Sequence, residues 1–273
     1  MDTDSDERKE FIRQVFNTVC ERYGKDSLRF FENAANHLPG LLNLRGKEQV
    51  LDIATGTGLA ASRMAAFLPQ GHVTGIDMSE GMLQQAEAMR QELGLNNIDY
   101  RQMDMTQLAL PDAHYDVINA SFAIFFVEDM DALVRHINTK IKPGGRLLST
   151  HFAAGSMAPM QELLMRRLQD YGVEVPQAAW SQLDSEEKNR QLFAQAGLTG
   201  IEHHRHQVGY YFQHAEQWWD VVWWAGFRGF VNQLGEEKLE QFKQEHLAEV
   251  NALADKNGIF FNVEIIHSIG NKS

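Results

Sequence analysis

The residues best suited to chemistry lie where a strand pattern runs into a glycine-rich turn. Residues 50–58 read VLDIATGTG, a buried strand followed by Gly56 and Gly58, which let a backbone approach a nucleoside closely. Asp52 lies at the strand end, four residues before the first glycine, where its carboxylate would repel a pyrophosphate and attract a cation. The segment therefore predicts a site for a nucleoside ligand that carries a positive charge.

Two later strand ends carry a carboxylate as well. Asp77 ends the next strand, where it can accept both hydroxyls of a ribose while Met78 lies against a base. Asp104 follows a third strand and is placed to accept from an exocyclic adenine amine. A second interpretation stays open, because Gly56-x-Gly58-x-x-Ala61 followed by Asp77 also fits the dinucleotide pattern of an NAD-dependent oxidoreductase.

An alternation of strand and helix patterns must position these residues. Apolar residues at three-to-four spacing predict helices over residues 7–42. Strand and helix patterns then alternate from residue 49 to residue 150, which predicts a parallel sheet whose carboxyl ends meet at one edge. Further helices follow near residues 157–171, 186–196, 215–234 and 237–254, with strands at 201–212 and 259–269.

Four motifs in this order resemble the class I S-adenosylmethionine-dependent methyltransferases, in particular the branch of ubiquinone and menaquinone C-methyltransferases. They are LDIATGTG at 51–58, GIDMSEGML at 75–83, MDMTQLALPDAHYDVI at 103–118 and IKPGGRLL at 141–148. The resemblance implies an α/β fold with a Rossmann-like seven-stranded sheet, a helical N-terminal cap and a helical insertion before the last strand. It implies one domain, residues 1–273, with a cap at 1–45, a donor-binding core at 46–150 and substrate-covering helices and last strands at 151–273.

The same resemblance assigns roles to residues of this chain, with S-adenosyl-L-methionine as the cofactor. Tyr23 would lie near the transferred methyl group. The residues that would bind the methyl donor lie at four strand ends: Asp52, Ala54, Gly56, Gly58, Asp77, Met78, Asp104, Met105, Asn119 and Ser121.

Methyl transfer from a sulfonium needs alignment of acceptor, methyl and sulfur more than a protein nucleophile. A base is required only where the acceptor loses a proton, and His151, directly after the strand at 146–150, is the predicted base. No metal site is expected: His203, His204 and His206 do not share one strand face and lack an acidic partner.

The acceptor site is predicted from an aromatic concentration. Residues 210–230 hold nine aromatic side chains, four of them tryptophans. Trp219 and Trp223 fall at helical spacing, which fits a core helix or the wall of an apolar pocket, and Arg228 among them could pair with a carboxylate. We therefore predict Trp219, Trp223 and Arg228 as acceptor-contacting residues and a small organic molecule as the acceptor.

Composition excludes several functions. Lys and Arg total 25 against 37 Asp and Glu, a net charge of −12, which disfavours nucleic acid as a partner. The single cysteine, Cys20, the acidic N-terminus and the lack of a long apolar stretch predict a cytoplasmic protein without membrane insertion. A homodimer is compatible with the sequence. A non-catalytic protein that binds the methyl donor, or a methyltransferase acting on protein or nucleic acid, remains an alternative.

Overall fold

The computed structural model describes residues 3–175 and 178–273. Residues 1–2 of the predicted cap and residues 176–177 of the predicted substrate-covering segment lie outside the described residues. The strands are β1 Gln49–Ile53, β2 His72–Asp77, β3 Ile98–Gln102, β4 Tyr115–Ser121, β5 Ile141–Phe152, β6 Thr199–Gln207, β7 Tyr210–Phe212, β8 Ile259–Phe261 and β9 Glu264–Asn271. The helices are α1 Thr3–Val19, α2 Phe30–Ala35, α3 Leu38–Leu41, α4 Leu59–Ala65, α5 Glu80–Glu92, α6 Met130–Lys140, α7 Met160–Asp170, α8 Glu186–Gln195, α9 Glu216–Trp224, α10 Arg228–Val231 and α11 Gly235–Asn251.

Seven strands form one mixed sheet in the order β3-β2-β1-β4-β5-β9-β6. Strands β1 to β5 are parallel to one another, whereas β9 runs antiparallel to both β5 and β6. The predicted α/β fold with its seven-stranded sheet, N-terminal helices and late helical insertion is confirmed. Because β1, β2 and β4 run parallel, their carboxyl ends lie together at one end of the sheet, where ligands bind in open α/β folds.

The central strands are apolar because helices cover both faces of the sheet. Val50, Leu51 and Ile53 of β1 have no solvent exposure. The turn after β2 is fixed by a helix cap: the Ser79 hydroxyl accepts a hydrogen bond from the Met82 N–H at 3.1 Å and begins α5. The strand ends that carry the candidate site are therefore held by packing and capping together.

Two predicted strands are each divided in the structure. The predicted strand at 201–212 becomes β6 and β7, and the predicted strand at 259–269 becomes β8 and β9. The break lies at Gly209, where a Cβ would stand 2.1 Å from the Phe261 carbonyl oxygen. Strands β7 and β8 pair with each other in a separate two-stranded sheet. The lengths predicted for these two strands were therefore wrong.

The predicted helix over residues 215–234 is also wrong in its length. Helix α9 ends at Trp224, because the backbone at Ala225 leaves the helical region with φ −117° and ψ −148°. Trp219 and Trp223 therefore share no continuous helix with Phe227 and Phe230. The spacing of these four residues in the sequence predicts one apolar stripe along a single helix, and the chain does not form that helix.

Candidate active site

A cavity of about 570 Å³ opens at the carboxyl ends of β1, β2 and β4. Helix α1 lies over it and packs against α5. Two of the strand ends that line it are held in left-handed backbone, Ala54 with φ 52° and Phe122 with φ 55°. Strain of this kind in residues other than glycine concentrates at functional sites. The predicted site residues that line the cavity are Tyr23, Asp52, Ala54, Gly56, Asp77, Met78, Asp104, Met105 and Ser121.

Asp52 is held by side-chain donors. It is 1% exposed, and its carboxylate accepts hydrogen bonds from the Thr55 hydroxyl at 2.5 Å and from Asn119 Nδ2 at 2.6 Å. Burial raises the pKa of Asp52 to about 6, although both hydrogen bonds work against that rise. Asn119 does not itself line the cavity; it reaches the site through this bond. The carboxylate is ionised at neutral pH and favours a cation beside it.

Asp77 is held by backbone donors. Its carboxylate accepts from the Gly56 N–H and from the Ser79 N–H, each at 2.9 Å. Burial raises its pKa above the usual value, and the backbone bonds oppose the rise. Gly56 has φ 56°, and a Cβ placed there would meet nothing within 4 Å, so the turn leaves open space beside the two carboxylates. The glycine turn therefore brings Asp52 and Asp77 to one cavity.

Asp104 is paired with a lysine that the sequence analysis did not single out. Lys9 Nζ on α1 lies 2.8 Å from Asp104 Oδ2, and the Thr106 N–H donates to Oδ1 at 2.8 Å. Burial works to raise the pKa of Asp104, but these donors outweigh burial and hold the pKa below its usual value. A lysine on a polar helix gives no signal in the sequence that it reaches a strand end 95 residues away.

Five aromatic side chains also line the cavity. This aromatic wall consists of Phe16, Tyr23, Phe31, Phe122 and Phe126. Tyr23 stacks on Phe31 at 4.6 Å between ring centroids, and Phe31 meets Phe122 edge to face at 5.2 Å. Burial and the nearby Asp77 charge raise the pKa of the Tyr23 hydroxyl, which stays protonated at neutral pH. Sequence reasoning singled out Tyr23 of this wall and missed Phe31, Phe122 and Phe126, since ordinary core packing produces the same pattern of phenylalanines.

The structure does not bring Gly58 and His151 to the cavity. Gly58 faces β3 and α5, where a Cβ would stand 2.6 Å from Tyr100 Oη and 3.0 Å from the Ala86 Cβ, so this glycine is required for packing and for its φ of 81°. His151 has no solvent exposure, and its Nε2 lies 3.0 Å from the Ser149 hydroxyl. Burial lowers the pKa of His151 to about 3. His151 therefore does not line the cavity, and its role as a base stays a prediction.

The predicted acceptor residues also lie away from the cavity. Trp219 is buried and stacks on Trp223 at 6.3 Å, and the Arg228 guanidinium lies 4.7 Å from the centre of the Trp223 ring. Trp218 is fully buried and donates from Nε1 to His246 Nε2 at 2.8 Å. Trp218 and Trp219 therefore pack in the core between α9 and α11, and none of Trp219, Trp223 and Arg228 lines the cavity.

Within residues 3–175 and 178–273, no group of three His, Cys, Asp or Glu side chains is placed to hold a metal ion. None of the described helices has the length and apolar character that crossing a bilayer requires.

Comparison with known proteins identifies relatives of this chain. A family model described as a methyltransferase domain matches residues 44–211. The ubiquinone/menaquinone biosynthesis C-methyltransferase of Shewanella sp. (strain W3-18-1) is 30% identical over 173 residues, which cover 61% of this chain and 67% of that protein. The matched region contains the strand ends that line the cavity.

Solved structures share the fold at lower sequence identity. The YcgJ protein from Bacillus subtilis aligns with a TM-score of 0.58 at 18% identity, covering 88% of this chain and 97% of that one. A Haemonchus contortus phosphoethanolamine N-methyltransferase, solved with phosphomonomethylethanolamine and S-adenosylhomocysteine, aligns with a TM-score of 0.52 at 16% identity, covering 94% and 60%.

Proposed function

This chain belongs to the methyltransferase-domain family and is an S-adenosylmethionine-dependent methyltransferase, and we propose that its acceptor is a small, largely apolar organic molecule. The observation that carries the proposal is the continuity of the cavity. Asp52 and Asp77 line the same space as the aromatic wall, so a methyl donor and an apolar acceptor can lie side by side.

The residues of the cavity fit the chemistry of the methyl donor. When bound, S-adenosylmethionine supplies a methyl group on a positively charged sulfur. We propose that Asp52 provides negative charge for this cation and that Asp77 accepts the ribose hydroxyls beside the open turn at Gly56. Met78, Asp104 and Met105 would surround the adenine, and Ser121 would lie beneath the sulfur, with Asn119 supporting Asp52.

The aromatic wall supports an apolar or planar acceptor. Phenylalanine faces contribute contact area and exclude water, which favours in-line displacement by keeping the reacting atoms aligned and dry. Tyr23 is the polar group of the wall and would orient the acceptor through its hydroxyl. The Shewanella relative carries a name that places it in ubiquinone and menaquinone biosynthesis, which agrees with an apolar acceptor. The net charge of −12 argues against nucleic acid as an acceptor.

Calorimetry with two ligands tests the donor site. We expect S-adenosylhomocysteine to bind with a micromolar or lower dissociation constant and NAD to show no binding. The alternative of an NAD-dependent oxidoreductase predicts the reverse pattern.

Transfer of a labelled methyl group tests the acceptor class. We expect label to move from S-adenosylmethionine to members of a panel of apolar aromatic compounds, and expect Phe126→Ala to raise KM for them. A protein that binds the donor but methylates nothing in the panel, nor any metabolite of a cell extract, is better described as non-catalytic. Cytoplasmic location, a homodimer and the single-domain organisation stay predictions.

A further inference from the structure

A row of polar side chains crosses the sheet from the cavity to a buried histidine. Ser121 on β4, Thr150 on β5 and His267 on β9 lie opposite one another in register. Ser121 Oγ lies 3.0 Å from Thr150 Oγ1, which lies 2.9 Å from His267 Nδ1. Thr150 and His267 have no solvent exposure. The row therefore links the cavity wall to a ring two strands away.

The other end of the row reaches Asp52. The Ser121 hydroxyl donates to Asn119 Oδ1 at 3.1 Å, and Asn119 Nδ2 donates to Asp52 Oδ1 at 2.6 Å. An ionised carboxylate only accepts hydrogen bonds, so the amide turns its nitrogen to Asp52 and its oxygen to Ser121.

Counting protons fixes the direction of every bond in the row. Ser121 has one hydroxyl proton and gives it to Asn119, so it must accept from Thr150. Thr150 has one hydroxyl proton and gives it to Ser121, so it must accept from His267. The ring therefore carries a proton on Nδ1, and every donor in the row points toward Asp52. Bonds aligned in this way strengthen one another by polarisation.

The surroundings of His267 keep its ring neutral, so only one of the two ring nitrogens carries a proton. Burial lowers the pKa of His267 to about 3, and the neighbouring His206, His37, His204 and His151 add to that effect. The ring of His206 lies 5.3 Å from that of His267 and the ring of His37 lies 5.9 Å away. Among the described residues, His267 Nε2 has no hydrogen-bond partner. A neutral ring has a single N–H, and this row places it on Nδ1.

We propose that His267 is a positioning residue of the methyl-donor site, which acts through Thr150 and Ser121 to hold the Asn119 amide against Asp52. The inference rests on the proposed function, because it takes Asp52 as the group that faces the positive charge of the donor. No proton leaves the row during the reaction; the row sets the orientation and strength of one hydrogen bond.

The proposal predicts how donor binding depends on pH. Ionised Asp52 attracts the cationic donor, so binding should weaken as the pH falls through about 6. The other ionisable groups that face Asp52 are Asp77, whose charge raises the pKa of Asp52, and Tyr100. Breaking the row frees Asn119 and weakens its bond to the carboxylate. The midpoint of the binding profile should then move to higher pH by about half a unit to one unit.

The experiment measures the dissociation constant of S-adenosylmethionine between pH 5 and pH 7.5 for a set of variants. Thr150→Val removes the hydroxyl at constant shape, His267→Phe removes the terminal donor, and both should raise the midpoint. Thr150→Ser restores the hydroxyl and should restore the wild-type midpoint. Asp52→Asn should abolish the midpoint. Thermal unfolding of each variant confirms that the protein measured is folded.

Ser268→Ala is the matched control. Ser268 is a buried hydroxyl on the same strand, lies 2.9 Å from His203 Nδ1 and faces the opposite side of the sheet. It should leave the midpoint at the wild-type pH. The proposal is overturned if Thr150→Val and His267→Phe keep the wild-type midpoint, if Ser268→Ala shifts it equally, or if the midpoint survives in Asp52→Asn. Failure of the proposed function gives a separate result, in which the wild-type protein binds no donor at any pH.

Discussion

At the scale of single residues, the strand-end carboxylates of Asp52 and Asp77 are held by different kinds of hydrogen-bond donor. Asp52 is held by side chains, Thr55 and Asn119, that can themselves be adjusted. Asp77 is held by two backbone N–H groups of the turns at Gly56 and Ser79, and its position follows from the chain path alone. An Asp at the end of β2 is therefore fixed in place before any ligand arrives, which suits recognition of a rigid ribose.

Asp77→Asn should weaken binding of S-adenosylhomocysteine by roughly 1.5 to 3 kcal/mol, because charged hydrogen bonds to the ribose hydroxyls are lost. Isothermal calorimetry measures the change. Asp99→Asn is the control, since Asp99 on β3 bonds Arg101 and His72 and does not line the cavity. Equal affinity of the Asp77 variant and the wild-type protein would contradict the placement of Asp77 at the ribose.

At the scale of elements, α1 is attached to the sheet edge by polar contacts with strand ends and with the start of α5, and by apolar contacts of Phe16 and Val19. Lys9 bonds Asp104, Arg13 bonds Glu80 at 2.7 Å, and Asn17 Oδ1 accepts from the Gly81 N–H at 2.9 Å. The two ion pairs are partly exposed to solvent, so each contributes little stability. Contact with a bound ligand should therefore add measurably to what holds this helix over the cavity.

Binding of S-adenosylhomocysteine should slow amide exchange in α1 by about tenfold or more, because the helix gains contacts with the ligand and opens less often. Hydrogen–deuterium exchange with mass spectrometry measures this. Helix α8 packs on β6 and β9, at the sheet edge away from β1 and β2, and contributes no residue to the cavity, so it should exchange at the same rate with and without ligand. Unchanged exchange in α1 beside a clear calorimetric signal would show that this helix does not cover the donor.

The tryptophans of α9 show how an element can resemble a binding surface in sequence and belong to the core in the fold. Trp218 is enclosed by Phe227 and Phe261 and bonded to His246. Burial lowers the pKa of His246 to about 4, so its ring is neutral at pH 7 and its Nε2 is free to accept that bond.

Trp218→Phe should lower the free energy of unfolding by about 2 kcal/mol, because it leaves a cavity and an unpaired His246 nitrogen. KM for the acceptor should not change, since Trp218 does not line the cavity. Trp223→Phe is the matched control at a half-buried position and should cost less than about 1 kcal/mol. Urea titration measures the stability and steady-state kinetics measure KM. A raised KM for the acceptor in the Trp218 variant would contradict the assignment of α9 to the core alone.

At the scale of the whole molecule, the last third of the chain completes the sheet that the first half begins. Strand β9 pairs with β5 from Arg146 to Phe152, and β6 pairs with β9. Residues 46–150, the predicted donor-binding core, therefore leave one edge of β5 unpaired, and β9 supplies the strand that pairs with it. This dependence supports the proposal that residues 1–273 form a single domain.

A fragment of residues 1–152 should fail to fold, because β5 then presents an unpaired apolar edge to water. Circular dichroism and thermal unfolding measure this, with the full chain expected to unfold in one transition. The single-domain proposal is contradicted if the fragment shows a cooperative transition of its own, or if the full chain shows two.

The sequence by itself determined the alternation of strands and helices, the site at the carboxyl ends of the strands, and most of the residues there. Those features follow from local periodicity and from side chains next to glycine turns, such as Asp52 and Asp77, whose position depends on nearby backbone. Only the tertiary structure decided what lies opposite them. The pairing of Lys9 with Asp104, the burial of His151 and Trp219 away from the cavity, and the row from Ser121 to His267 join residues far apart in the chain. Contacts of that kind depend on which strands and helices become neighbours in the fold, and spacing along the chain does not encode that order.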